Sequence, residues 1–360
     1  MSINSKKAAV LALCSTIATA SLLVEPGVAQ EGGKVDVHMH LSAHVGERRG
    51  TPPRLDFESA ATNLVRKMDD MGVDVAIVMP LPQLENQHRG YTYERFLAAI
   101  GQHPGRLRLA GGGGTLSGMI LGTDPDEVTP AVRREFREQA RAIVKDGAVA
   151  FGEMAALHFS FNERHVYHQT PADHPLFLLL AEIAAEQRLA IDLHMEAVHD
   201  DGMDTPAAIA RRSNNNPARV DGTLGGFERL LAHDREARIV WQHIGWDNTG
   251  KMTVALVSQL LERHPNLYLA IKIVHPHFEP WRSGGMVDDR MQILPEWRDL
   301  LVEWSDRFVI GSDEFVGILD GLSRTGPLSF RSTWAILDQL PPEVRPRIGG
   351  ENAIRIYRLE

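Results

Sequence analysis

The sequence predicts an α/β fold, a (β/α)8 TIM barrel, on three observations. From Lys34 onward, short runs of β-branched and apolar residues alternate with amphipathic stretches. Eight such runs occur, spaced roughly 30 to 50 residues apart, as expected for a barrel of about 250 residues with insertions. Long polar segments follow the first, fourth, fifth and seventh runs, where a barrel carries the loops that build a site. A doubly wound open sheet is the competing architecture, but eight strand-plus-helix units fit the barrel without remainder. No internal repeat or low-complexity segment breaks the pattern.

In order, strands are predicted at Lys34 to His40, Val73 to Pro80, Leu107 to Gly112, Ala148 to Met154, Leu189 to Glu196, Arg238 to Gly245, Leu267 to Val274 and Phe308 to Glu314. The spacing predicts helices at Glu58 to Met71, Thr92 to Gln102, Pro130 to Lys145, Pro175 to Gln187, Gly226 to His233, Thr253 to Arg263, Leu294 to Ser305 and Phe330 to Leu340. Several begin beside a proline and stop at a glycine, as helix punctuation requires. The long polar loops include Leu41 to Phe57 and His275 to Arg290. The run Gly111-Gly112-Gly113-Gly114 reads as a flexible loop; with no Lys-Ser or Lys-Thr after it, it is not a nucleotide motif.

The chain has 360 residues, 43% apolar and 24% charged, ordinary values for a soluble globular protein with a sizeable core. Residues 1–29 read as a cleavable secretory signal peptide, and 34–360 as a single barrel domain. Lys6 and Lys7 precede the apolar run Ala8 to Val24, and Gly27-Val28-Ala29 supplies the small residues a signal peptidase reads. Ser15, Thr16, Thr19 and Ser21 dilute that run and Pro26 follows it, which argues against a stable membrane span. The expected product is exported, periplasmic or secreted. Cys14, the only cysteine, lies inside the signal and follows Leu13, where lipid attachment would want a small residue. A mature chain without thiols excludes disulfides, cysteine nucleophiles and Cys-ligated zinc. Removing Lys6, Lys7 and Glu25 changes the formal net charge from −9 to −10. An acidic body with no basic run is a poor match for a phosphate backbone, so nucleic acid is not the expected partner.

Metal-ligating residue types fall at the C-terminal ends of the predicted strands. In Val35-Asp36-Val37-His38-Met39-His40, side chains two apart share a strand face, so His38 and His40 can grip one ion. Glu153 closes strand four, His194 strand five, His243 strand six and Asp313 strand eight. Taken singly each has a plain alternative: a wet polar edge for the first pair, a salt-bridged carboxylate for Glu153, a hydrogen-bonded core histidine for His194 or His243, a helix N-cap for Asp313. Together they point into one mouth, which favours a metal site. Imidazoles and carboxylates suit zinc, manganese or iron, and a divalent ion lowers the pKa of a bound water from 15.7 to about 7. Asp313 could then act as the catalytic general base and acid. Lys272, amid apolar residues, either pairs with a core carboxylate or binds an anionic group in the mouth. Trp246, Asp247, His158 and His199 read as loop residues beyond strand ends, with Trp246 and His158 as candidate substrate contacts. No Gly-x-Ser-x-Gly elbow is present, which weakens serine hydrolysis.

The Val-Asp-Val-His-Met-His opening, His194 and His243, Gly311-Ser312-Asp313, and the closing Gly349-Gly350-Glu351-Asn352-Ala353-Ile354-Arg355-Ile356-Tyr357 together resemble the amidohydrolase superfamily, in its amidohydrolase-related branch of lactonases and decarboxylases. The resemblance spans essentially the whole mature chain. It implies a metal-dependent barrel hydrolase acting on a lactone, ester or amide of a small molecule, with His38, His40 and Asp313 at ligand positions and Asp313 doubling as proton shuttle. A non-oxidative decarboxylase on the same scaffold is the alternative, and a non-catalytic metal-containing binding protein a further one. Glu153 departs from the carboxylated lysine of many two-metal members; it resembles the bridging carboxylate of some binuclear branches, including the TatD-like nucleases. Whether one ion or two are held, and whether the chain forms a homo-oligomer, stays open at this level.

Overall fold

The computed structural model describes residues 33–45, 54–84, 92–274, 285–318 and 329–359. The predicted signal peptide and parts of the loops at 41–57 and 275–290 lie outside the described residues. Eight parallel strands close into a barrel in chain order: β1 (Val35–Ser42), β2 (Val75–Val78), β3 (Leu107–Gly112), β4 (Ala150–His158), β5 (Ala190–Met195), β6 (Arg238–Ile244), β7 (Leu267–Ile271) and β8 (Phe308–Ile310), which resumes as β9 (Glu314–Gly317). Closure is made by β1, whose Asp36 registers with Ile310 and whose Met39 registers with Glu314.

Helices cover the outside: α1 (Phe57–Met71), α2 (Leu97–Gly101), α3 (Leu116–Gly122), α4 (Pro130–Lys145), α5 (Pro175–Gln187), α6 (Leu224–His233), α7 (Val254–Arg263), α8 (Pro295–Glu303), α9 (Phe330–Trp334) and α10 (Asn352–Tyr357). Their ends follow from local chemistry. Asp56 caps α1 by accepting from the Ser59 amide, and Gly72 ends it in the left-handed region. Thr129 and Thr253 cap α4 and α7 in the same way.

Four local expectations change. The segment predicted as one helix at 92–102 splits into a 3-10 turn, Tyr93–Arg95, and α2. The segment at 330–340 likewise becomes α9 and a 3-10 turn, Ala335–Gln339. Strand four does not stop at Met154: an antiparallel pairing with His168–Gln169 carries β4 on to His158, which is therefore a buried strand-end residue and not a loop residue. The glycine run is packed and not a loose loop. Gly111 and Gly112 lie within β3, and a Cβ on Gly113 would fall 2.5 Å from the carbonyl oxygen of Pro80.

The apolar core has two layers. A large cluster lies between strands and helices, and a second fills the barrel interior with Val35, Val37, Ile77, Ala110, Ala150, Ala190, Val240 and Val309. Helix α10 closes the N-terminal end of the barrel, with Ala353, Ile356 and Tyr357 packed on that interior cluster. Asn352 pins it by donating to the carbonyls of Ser305 and Phe308 at 2.7 and 2.8 Å. The apolar plug at one end leaves the polar side chains gathered at the other. Among the described residues no helix is long and apolar enough to cross a membrane.

Candidate metal centre

The six predicted donors converge at the C-terminal mouth, though simple alternation would not place them all there. Val37 packs in the interior cluster and Met39 in the outer one, and the pairing of β1 with β2 shifts register between Asp36 and Met39. That irregularity turns His38 and His40 inward above Val37. On β6, His243 adopts φ +68°, so that consecutive residues Gln242 and His243 both face the barrel axis. Asp313, at φ +54°, sits in the break between β8 and β9, its amide donating to the His38 carbonyl at 2.9 Å. Such left-handed conformations of non-glycine residues cost on the order of 1–3 kcal/mol and cluster at functional sites.

Glu153 sits at the centre and divides its oxygens between two pairs of rings. Its Oε2 is 3.6 Å from His38 Nε2 and 3.5 Å from His40 Nε2. Its Oε1 is 2.8 Å from His194 Nδ1 and 3.1 Å from His243 Nε2. Asp313 divides its oxygens as well: Oδ1 is 3.1 Å from His40 Nε2 and 3.6 Å from His38 Nε2, while Oδ2 takes the ammonium of Lys272. All of these groups are buried except Asp313, whose side chain is 11% exposed at the mouth.

The residues fit a cation. His40 Nδ1 donates to the Met79 carbonyl at 2.9 Å, and His38 Nδ1 donates to Gln242 Oε1 at 3.0 Å, so each neutral ring carries its lone pair on Nε2. Those two Nε2 atoms are 3.0 Å apart, walled by two carboxylates. Two facing lone pairs at that separation require a proton or a metal ion between them. The electrostatics say the same. Burial suppresses charge on His40, yet its hydrogen bonds with Asp313 and Glu153 push the imidazole up to about 9. His38 is also raised: burial opposes it, and Glu153 and Asp313 overcome the burial. Glu153 and Asp313 are held well below the usual carboxylate range against burial, the first chiefly by His38, the second chiefly by Lys272. The other half differs, for burial pushes His243 down to about 3, and among the described residues its buried Nδ1 has no hydrogen-bond partner, Asp313 Oδ2 lying 3.9 Å away. Among the described residues two groupings bring donor atoms within 4.8 Å of one another, His38–His40–Asp313 and His38–Glu153–His243.

The predicted substrate contacts line the same mouth. Lys272 follows directly on β7, its amide still bonded to the Ile244 carbonyl at 2.9 Å, and its Nζ lies 3.8 Å from the centroid of the Trp246 ring. The two readings of Lys272 merge, since the carboxylate it pairs with is Asp313. Trp246 and Asp247 are buried and not solvated, with Trp246 edge-on to His243 and His194. The His158 ring lies tilted against that of His194, centroids 4.1 Å apart, whereas His199 is exposed.

Four buried polar residues escaped sequence reasoning. Asp36 accepts from the amides of Ser312 and His38 and from Trp334 Nε1, fastening β1 to the segment that carries Asp313. Asp192 and Gln242 lie beneath His38, and Glu196, held by Asn248, lies 3.9 Å from His194 Nε2. The available signal was a polar residue inside an apolar strand of a parallel barrel, where neither face meets water.

No family model and no curated protein sequence matches the chain. Among solved structures it is similar to Amidohydrolase 2 from Bifidobacterium longum subsp. infantis, at 12% identity and a TM-score of 0.44 over 91% of this chain and 99% of that one. It is similar to an amidohydrolase from Burkholderia multivorans with bound zinc, at 13% identity and a TM-score of 0.47 over 91% of this chain and 100% of that one. It is also similar to the L-hydantoinase (dihydropyrimidinase) from Arthrobacter aurescens, at 18% identity and a TM-score of 0.46 over 91% of this chain and 71% of that one.

Proposed function

We propose that the protein is a metal-dependent hydrolase that cleaves a carbonyl-centred bond, in a lactone, ester or amide of a small molecule, and that His38, His40, Glu153, His194, His243 and Asp313 would hold two divalent cations, with Glu153 shared between the two halves of the set. The observation that carries this reading is the split of Glu153: one oxygen faces His38 and His40, the other His194 and His243. A divalent ion held there, zinc first by the donor set and manganese or iron next, would supply Lewis acidity toward a carbonyl and would lower the pKa of water to about 7.

The remaining steps belong to the chain's own residues. Asp313 is kept ionised by Lys272 at Oδ2, which leaves Oδ1 facing His40 and His38 to take a proton from the attacking water and return it to the leaving group. The Lys272 ammonium, set against the Trp246 face, is the positive group nearest Asp313 and would meet the oxyanion or an anionic substituent of the substrate. Burial of the donors excludes bulk water, so these charges act in a low dielectric. Export through residues 1–29 belongs to the same proposal, and the N-terminal mass of the secreted chain checks it.

The test is chelator treatment followed by zinc or manganese, assayed on a mixed panel of lactones, esters and amides. The expected outcome is loss of turnover on chelation and its return with metal. Undiminished turnover in protein shown by elemental analysis to be metal-free would overturn the reading.

A further inference from the structure

Beneath the metal donors, a buried line of polar side chains runs from the last helix of the chain to His38. Tyr357, on α10, donates its hydroxyl to Asp192 Oδ1; Gln242 Nε2 donates to the same oxygen at 2.8 Å; Gln242 Oε1 accepts from His38 Nδ1 at 3.0 Å. Tyr357 is 2% exposed, Asp192 0%, Gln242 1% and His38 0%, so water does not substitute for any link. None of Tyr357, Asp192 and Gln242 has a part in the chemistry proposed above.

We infer that Tyr357, Asp192 and Gln242 form a positioning relay that fixes His38 with its proton on Nδ1 and its Nε2 lone pair toward the cation. A primary amide has two orientations that fill the same space. Turned over, Gln242 would set its carbonyl against the Asp192 carboxylate and its NH2 against the His38 Nδ1–H, losing both bonds in a dry interior where no water replaces them. Asp192 therefore selects the amide orientation, and Tyr357, reaching up from the barrel floor, holds Asp192.

The other donors do not share this dependence. His40 donates to a backbone carbonyl, which cannot turn over, and His194 and His243 meet Glu153 directly. Gly311 on the neighbouring segment leaves room for the link, for a Cβ there would lie 3.2 Å from His38 Cβ and 3.3 Å from Gln242 Oε1. The consequence for metal affinity rests on the metal reading above; the consequence for the His38 ring does not.

The test compares wild type, Gln242→Met and Tyr357→Phe in two measurements on the full chain. The first is zinc affinity, by competition with a chromophoric chelator. The second is the His38 Nδ1–H resonance of metal-free protein, seen by NMR with 15N-labelled histidine. Partners of a ligating histidine typically contribute tenfold to a hundredfold in metal affinity, so Gln242→Met should weaken zinc by about that factor and Tyr357→Phe by about tenfold or less. The Nδ1–H resonance should exchange slowly in wild type, move in Tyr357→Phe and be lost in Gln242→Met. Zinc affinity within twofold of wild type and an unmoved resonance in both variants would overturn the relay. If Gln242→Met does not fold, Tyr357→Phe, which keeps its ring in the core, decides alone. If wild type binds no zinc, the metal reading falls while the resonance still decides the relay.

Discussion

The two halves of the donor set stand on different supports. His38, His40 and Asp313 are each fixed from behind: His38 by Gln242, His40 by the Met79 carbonyl, and Asp313 by Lys272 and by its own amide on His38. His194 and His243 hydrogen-bond to Glu153, while His243 Nδ1 lies 3.9 Å from Asp313 Oδ2 with no hydrogen bond among the described residues, and Glu196 lies 3.9 Å from His194 Nε2. The charges differ as well: against burial, hydrogen bonds with Asp313 and Glu153 push His40 up to about 9, whereas burial pushes His243 down to about 3. The first half is therefore held in place by the fold itself, while the second is assembled around a carboxylate that both halves share. Preorganisation of this kind is what makes a ligand set precise.

The largest expected effect lies in the first half. Asp313→Asn keeps the shape but removes the base, so turnover on any hydrolysed member of the panel should fall by about 10²- to 10⁴-fold. Steady-state kinetics beside zinc analysis checks this; loss of metal in step with activity would show that Asp313 is a ligand and nothing more.

A smaller effect should follow from Lys272→Met, which strips the ammonium from Asp313 Oδ2. Lys272 is the strongest influence lowering the Asp313 pKa against burial, so without it that pKa rises and the acid limb of the kcat/KM profile moves to higher pH. An acid limb that stays in place would assign the proton transfer to another group.

The smallest effect is a control away from both halves. His174 caps α5, accepting from the Leu176 amide at 3.1 Å through Nδ1 and donating to the Thr123 carbonyl at 2.9 Å through Nε2, an arrangement only the neutral ring can make. Burial lowers its pKa against the pull of that carbonyl. A histidine lowered on folding gives stability that is whole above its unfolded value, about 6.5, and is lost as pH falls through the folded one. His174→Asn, which retains a cap, should flatten the acid side of the stability curve measured by chemical denaturation, with zinc content unchanged. An identical acid slope in the variant would remove His174 from the account.

Much of this was legible in the sequence because the barrel's signals are periodic. Eight apolar runs mark the strands, proline and threonine mark helix starts, and Pro130–Lys145 and Pro175–Gln187 form with the predicted bounds. The six donors were visible as residue types at strand ends. Their support was not, because each partner lies far along the chain: Asp36 bonds Trp334, and Asp192 bonds both Gln242 and Tyr357. A lone carboxylate in an apolar strand looks alike whether it is a ligand, a strut or an edge. The shift in β1 and the left-handed turn at His243 likewise come from closing the barrel, which strict alternation cannot express.

Metal stoichiometry in wild type and Glu153→Gln, by elemental analysis after zinc loading and gel filtration, distinguishes two ions that share Glu153 from a single ion. Two ions per chain are expected in wild type and one in the variant, since the His38–His40–Asp313 half keeps its donors while the His194–His243 half loses the carboxylate that joins them. No bound ion in wild type, or a count that Glu153→Gln leaves unchanged, would contradict a two-ion site that depends on Glu153.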